Sequence, residues 1–472
     1  MKFLFILICV LSTLESATRE FDKNVLVCDG GGLKGIYIAS ILEQMESDLL
    51  VQRELHHTYQ FFKGGITGTS TGSIIALALV CPNQKTTSRE PISSGHPYSA
   101  KEIKEFYEKM GYSIFSDGVF CDQFEGCKLK SSEFKCCSMT YKCNRCEENW
   151  EETFCCNDGL CSNIVECVCE KFFCCTPQPE KFGQVKERDI TCSEGLCNFI
   201  KGISTCCFCC GINKNCGSLC GPKYSNRTLK YYLQAFFGDT TLEEALGPVQ
   251  IVTYDYENDK PIYITKEKYP KMKMWEAALA SSAAPTFFPV ASVLSGNKTD
   301  KGHDQMLHCV DGGVFDNSAG IAGLSYSKKL HSVRIDDHMI VVIGTGERDI
   351  LRTISPSTKR PCCCAILSSI IDIALDGATK AKNSSLEEIF EPNEVAGKVQ
   401  QYFRIQFSTK NALPMDDPSK LQTFLDYATQ SIARNAEGSL QQPPYIRFFD
   451  LYITPQDTNG MPVLGPPTQA MK

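Results

Sequence analysis

From residue 22 onward, short apolar runs of strand length alternate with longer stretches that repeat apolar positions at helical spacing. Asn24-Val25-Leu26-Val27-Cys28 predicts a strand, and Ile36–Leu42 predicts a helix that runs out through Glu43–Leu50. A second β-branched run begins near Phe61 and ends at Ile66-Thr67, and Ser73–Val80 then reads as a buried helix. After residue 221 the same grammar returns. Leu242–Leu246 reads as the end of a helix, and Val249–Tyr254 and Pro261–Thr265 as paired strands with Asp259 in the turn between them. Lys271–Ala284 reads as a helix, and Val310, Met339–Ile343 and Tyr402–Phe407 mark later strands. Leu421, Phe424, Leu425, Ala428 and Ile432 line one face of a predicted amphipathic helix, which is expected to pack on the core. Strands alternating with helices predict an α/β sheet begun by residues 22–120 and completed by 221–455.

Two turns in this pattern carry chemistry. Gly68-Thr69-Ser70-Thr71-Gly72 lies between a predicted strand and a predicted helix, the setting of a nucleophile elbow. Gly68 and Gly72 leave room around the Ser70 backbone, and the helix N-terminus turns its free N–H groups toward the serine. About forty residues earlier, Asp29-Gly30-Gly31-Gly32-Leu33-Lys34-Gly35 also joins a strand to a helix, and its glycines can turn backbone amides toward one point. A serine hydrolase needs both features, a nucleophile and donors for the oxyanion. Gly30-x-Gly32-x-x-Gly35 also fits the dinucleotide fingerprint, but the region from Asp48 to Glu54 reads as helix end and supplies no acid at the close of a second strand. A third turn, Asp311-Gly312-Gly313, closes the strand Leu307–Val310. It fits an ordinary Asp-Gly turn and equally a base placed beside the serine hydroxyl.

In order and spacing these three motifs resemble the patatin-like phospholipases. Ser281-Ser282-Ala283-Ala284-Pro285-Thr286-Phe287-Phe288-Pro289 resembles the family's Ala-Ala-Pro segment, Tyr224 to Leu246 its helix pair, and Val341-Val342-Ile343-Gly344-Thr345-Gly346 its late strand and Gly-Thr-Gly turn. The resemblance covers about residues 22–120 and 221–455. It implies a three-layer α/β/α sandwich with a mostly parallel central sheet. It also implies a Ser–Asp dyad acyl hydrolase with Ser70 as nucleophile and Asp311 as base. The loop Gly30, Gly31 and Gly32 would form the oxyanion hole, with the Gly31 and Gly32 amides as donors and Lys34 at its edge. It implies no cofactor, no metal in the chemistry and no need for calcium. The substrate class it implies is a phospholipid or related lipid at a membrane or micelle surface. Lys63-Gly64-Gly65 stands where relatives usually carry a Phe-Asp pair. A Ser–Asp–His triad is the rival arrangement, because His331 and His338 follow Asp311 in chain order. The rival from another class is a non-catalytic storage or binding protein on a hydrolase scaffold.

Composition changes the picture in one region. The 472 residues carry a net charge of −7 without long charged runs, which argues against nucleic-acid binding. Of 28 cysteines, 21 fall between Cys121 and Cys220. Residues 1–17 carry a basic start, the apolar core Phe3–Leu11 and small residues at Ser16 and Ala17, as a signal peptide does. A cysteine-rich stretch behind such a leader predicts a disulfide-bonded insertion over 121–220 and a secreted or lumenal protein. Cys143-x-x-Cys146 also has zinc-ligand spacing, although no histidine lies between His96 and His303. The insertion could serve as a lid, a lipid-docking surface or a site for a protein partner. Cys28, Cys81 and Cys309 sit in apolar segments and are expected as buried thiols. Asn226, Asn297 and Asn383 open N-glycosylation sequons, and the tail 456–472 is expected to be flexible.

Overall fold

The computed structural model describes residues 22–83, 95–116, 222–348, 363–391, 400–410, 413–434 and 442–454, with three short strands between 127 and 153. The predicted leader, most of the cysteine-rich insertion with its disulfide and zinc expectations, and the tail lie outside the described residues.

An eight-stranded sheet organises the chain. In chain order its strands are β1 (Asn24–Cys28), β2 (Gly65–Thr69), β6 (Val249–Asp255), β7 (Lys260–Thr265), β8 (Ala291–Lys298), β9 (Asp304–Asp311), β10 (Met339–Ile343) and β11 (Tyr402–Ile405). Strands β3 (Cys127–Leu129), β4 (Ser138–Cys143) and β5 (Asn149–Thr153) form a separate antiparallel meander. The order across the main sheet is β11-β10-β1-β2-β6-β9-β8, with β7 also on β6. The five strands from β11 to β6 are parallel, and β7, β9 and β8 join antiparallel. Central parallel strands are buried on both faces and therefore read as continuous apolar runs, as β1 and β10 do.

The period of two in those runs sorts side chains to two cores. Leu26 and Cys28 of β1 and Val341 and Ile343 of β10 face the larger core. It is covered by helices α1 (Gly35–Arg53), α2 (Thr71–Ala78), α3 (Ala100–Ser116), α4 (Asn226–Phe237), α5 (Met274–Ser281) and α8 (Leu421–Ile432). Val25, Val27, Ile340 and Val342 face the other way, against Leu324 of α6 (Gly320–His331) and Leu386 of α7 (Cys363–Ile389). The result is the expected three-layer α/β/α sandwich. In α8, Leu421, Phe424 and Ala428 are buried, so its apolar face is core-facing as predicted. Cys28, Cys81 and Cys309 are buried free thiols, also as predicted.

Three element boundaries differ from the sequence expectation. The run beginning at Phe61 opens as a turn of helix, Thr58–Phe61, started by a His57 to Gln60 capping box, and the strand begins only at Gly65. Leu242–Leu246 is a single 3-10 turn over Leu242–Glu244, capped by Thr241 and Glu244. The helix expected over Lys271–Ala284 is confined to Met274–Ser281, because the chain must break into the Ala-Ala-Pro segment. Among the described residues no helix is long and apolar enough to cross a membrane.

Candidate active site

Strand β2 delivers Ser70, and the turn there is forced. Ser70 has φ 54 and ψ −124, a conformation costly for a residue with a side chain. The flanking glycines are demanded by contact: a Cβ on Gly68 would lie 2.2 Å from the Gly72 carbonyl oxygen, and one on Gly72 would lie 2.0 Å from the Cys28 carbonyl oxygen. Helix α2 starts at once, with the Ser73 amide donating to the Ser70 carbonyl at 2.9 Å. The Ser70 amide donates to Ser281 Oγ at 2.8 Å.

Asp311 arrives from the opposite direction. Strand β7 occupies one edge of β6 over Gln250–Asp255, so β2 and β9 share the other edge. Thr69 faces Val252 and Asp311 faces Thr253, so the two strand ends meet one residue apart. The sequence expectation placed Asp311 at the C-terminal end of a strand, which holds, but the strand is antiparallel to its neighbour β6. Asp311 is 4% exposed, accepts from the Gly313 amide at 2.7 Å and lines the same cavity as Ser70. Burial pushes its carboxyl up to about 6, against the Ser70 and Gly313 donors, which favour the charged form.

The glycine loop wraps over the same point. Gly30, Gly31 and Lys34 line a cavity of about 440 Å³ together with Ser70 and Asp311. The Gly31 and Gly32 amides have no protein acceptor among the described residues, and Gly31 is the one of the two that lines the cavity. The Gly30 amide donates to the Asn317 carbonyl at 3.2 Å, so Gly30 shapes the loop without offering a free donor. Gly32 has φ +59, and a Cβ there would lie 2.5 Å from the Met415 carbonyl oxygen, which itself accepts from the Leu33 amide at 2.8 Å. Ala284, Pro285, Phe287, Val314, Phe407 and Leu413 give the cavity an apolar wall.

One support was not read from the sequence. Arg404 Nη2 donates to Asp29 Oδ2 at 2.8 Å and to Gln406 Oε1 at 2.9 Å, fixing the residue from which the glycine loop springs. Burial raises the Asp29 carboxyl while Arg404 opposes the shift. A lone arginine inside the apolar run Tyr402–Phe407 was the available signal, since a buried cation needs a partner.

The profile described as "Patatin-like phospholipase" matches residues 213–319, a stretch that holds Asp311. Patatin-T5 of Solanum tuberosum is 24% identical over 365 residues, covering 73% of this chain and 66% of that protein. Patatin-like protein 3 of Arabidopsis thaliana is 23% identical over 440 residues, covering 89% and 79%. The chain is similar to the patatin-like phospholipases over these stretches. Its match spans 66% of the potato protein and 53% of patatin-like protein 2 of Oryza sativa subsp. indica, which is 24% identical over 311 residues, 65% of this chain. Among solved structures, VipD from Legionella pneumophila aligns over 87% of this chain and 66% of its own at 13% identity, with a TM-score of 0.32, too low for a shared fold to be read from it.

The histidine triad finds no support. His331 Nε2 donates to the Lys63 carbonyl at 2.9 Å. His338 Nδ1 donates to the Arg334 carbonyl at 2.7 Å, while its Nε2 accepts from Ser327 Oγ at 3.1 Å. Neither lines the cavity. The dinucleotide alternative also lacks its acid, because β2 ends in Gly68-Thr69. Of the three sequon asparagines, Asn383 is buried, lines the cavity and accepts from Ser318 Oγ at 3.0 Å, so it is closed to a glycan in the folded protein. The described residues on either side of the cysteine-rich stretch meet at the cavity rim. The Lys223 and Tyr224 amides donate to the carbonyls of Thr286 and Phe287 at 2.9 and 2.7 Å, and Phe115 packs edge-on to Tyr224 at 5.2 Å.

Proposed function

We propose that this patatin-like protein is a serine hydrolase that releases fatty acids from phospholipids or related lipids, with Ser70 as nucleophile and Asp311 as its base. The observation that carries the reading is Ser70, on a strained strand-to-helix turn, sharing one apolar-walled cavity with a buried Asp311. Asp311 takes the proton as Ser70 Oγ attacks the ester carbon. The carbonyl oxygen becomes an oxyanion held by the Gly31 amide, with the Gly32 amide beside it and Lys34 at the edge. Collapse of the tetrahedral intermediate passes the proton from Asp311 to the departing alcohol and leaves Ser70 acylated. Water, deprotonated by Asp311, then releases the fatty acid. Every proton in this sequence travels between Asp311, Ser70, water and the leaving group, so calcium has no assigned step. The leader-like residues 1–17 and the cysteine content support a secreted or lumenal site of action, with a lipid surface as the substrate's setting.

The test is fatty-acid release from mixed phospholipid vesicles in excess chelator by wild type, Ser70→Ala, Asp311→Asn and His331→Ala/His338→Ala. Release by wild type and the histidine variant, with the other two reduced at least about 1000-fold, is expected. Full activity in Ser70→Ala sinks the assignment. No release by wild type from any ester offered turns attention to the non-catalytic reading.

A further inference from the structure

Ser70 and Asp311 belong to different strands, yet one short segment holds both. Ser281 is fully buried; its Oγ accepts from the Ser70 amide at 2.8 Å and donates to the Val252 carbonyl at 2.6 Å. Two residues on, the Ala283 carbonyl accepts from the Asp311 amide at 2.9 Å. Thr253, also fully buried, has its Oγ1 2.9 Å from both the Ala280 and the Val310 carbonyl oxygens, so its hydroxyl bridges the same segment to the residue before Asp311. A small hydroxyl suits this position, because one group accepts from a backbone amide while donating to a carbonyl.

We infer that the α5 terminus, through Ser281 and with Thr253, is a brace that fixes the separation of Ser70 from Asp311, and that Ser281 is a positioning residue for acyl transfer. The inference rests on the hydrolase reading above and adds a claim about what sets its geometry. Ser70 occupies a costly backbone conformation and needs an outside restraint at its amide. The Ser281 hydroxyl supplies it, and the same three residues that carry that hydroxyl also carry the carbonyl that holds Asp311. Strands β2 and β9 approach end to end along one edge of β6, so no ladder bond joins them directly. The brace closes that gap.

The test compares Ser281→Ala, Ser281→Thr and Thr253→Val with wild type and Ser70→Ala on a soluble short-chain ester. It reads kcat and KM separately, the pH profile, and the rate of covalent labelling of Ser70 by an organophosphonate. Ser281→Ala is expected to lower kcat by between about 10- and 100-fold with KM changed by less than about threefold, since small misplacement of reacting groups costs that much. Its acid limb should move to higher pH, because a weakened Ser70 hydrogen bond no longer favours the charged form of Asp311. Ser281→Thr, which keeps the hydroxyl, should recover most of the rate. If Ser281→Ala does not fold, the near-isosteric Thr253→Val carries the test, with a smaller fall in kcat and labelling rate expected. An active wild type beside a folded Ser281→Ala, or Thr253→Val, of unchanged kcat, pH limb and labelling rate overturns the brace alone. An inactive wild type whose Ser70 resists the organophosphonate overturns the hydrolase reading and the brace with it.

Discussion

At the residue scale, the proposed base Asp311 would couple catalysis to stability with opposite signs. Acting as that base it must be charged, so kcat/KM should rise through about pH 6 and then level, the limb reporting the free enzyme. As a buried group its folded pKa lies above that of the unfolded chain, near 3.9. Between those values the folded state binds more protons than the unfolded one. Stability therefore falls as pH rises from about 4 to about 6 and stays reduced above. Asp311→Asn removes that penalty while its Oδ1 still accepts from the Gly313 amide. It should be more stable than wild type at pH 8, by roughly 3 kcal/mol, and nearly equal to it near pH 4. Urea unfolding at the two pH values measures this, and a variant less stable than wild type at pH 8 would contradict it. The residues of this site were legible because their chemistry leaves local marks: Ser70 needs close glycines on both sides, and Asp311 ends a strand beside two more. What local pattern could not signal is the anchor of the glycine loop: the Gly30 amide is taken by the Asn317 carbonyl, 287 positions away.

At the element scale, the glycine loop is held from three sides. Asp29 is paired with Arg404 of β11, the Gly30 carbonyl accepts from Thr345 Oγ1 at 2.5 Å, and the Leu33 amide donates to Met415. The Asp29–Arg404 pair is almost wholly buried, with side-chain exposures of 1% and 12%. Removing one member leaves an uncompensated charge, so Arg404→Met should cost about 3 kcal/mol or more. Adding Asp29→Asn should return much of that loss, because the stranded charge is gone. A urea melt of both variants checks the order, and a double variant no better than Arg404→Met would argue that the guanidinium acts chiefly through Gln406 and Ser318. β1, β10 and α8 could be read from sequence nearly to the residue, because strands buried on both faces and a helix buried on one have strong apolar signatures. The turn at Thr58–Phe61 could not, because aromatic residues in a short run fit strand and helix alike and the His57 to Gln60 cap decided the matter.

At the scale of the whole molecule, the arrangement that makes the site is a topological one. Two strand ends from residues 69 and 311 abut on one edge of β6, and neither propensity nor spacing predicts that an antiparallel strand continues the line of a parallel one. The same view bears on the cysteine-rich insertion. The helix that precedes it and the helix that follows are bound to each other within the core. Tyr98 and Phe106 of the α3 region pack on Phe236 of α4 at 4.1 and 4.3 Å, and Tyr232 Oη donates to Ser113 Oγ at 2.8 Å. With Phe115 against Tyr224, the two roots are neighbours whatever lies between them. Closing a loop costs only slowly more with length, so a shorter one costs slightly less. Replacing residues 117–221 by a short glycine–serine linker should therefore leave the sandwich folded, with kcat on a soluble short-chain ester within about threefold of wild type. Circular dichroism with that assay decides the point. Loss of both fold and turnover would mean that the insertion is part of the catalytic core. Retention of both would confine its role to what reaches the rim formed by Thr286 and Phe287, where its C-terminal root is hydrogen-bonded.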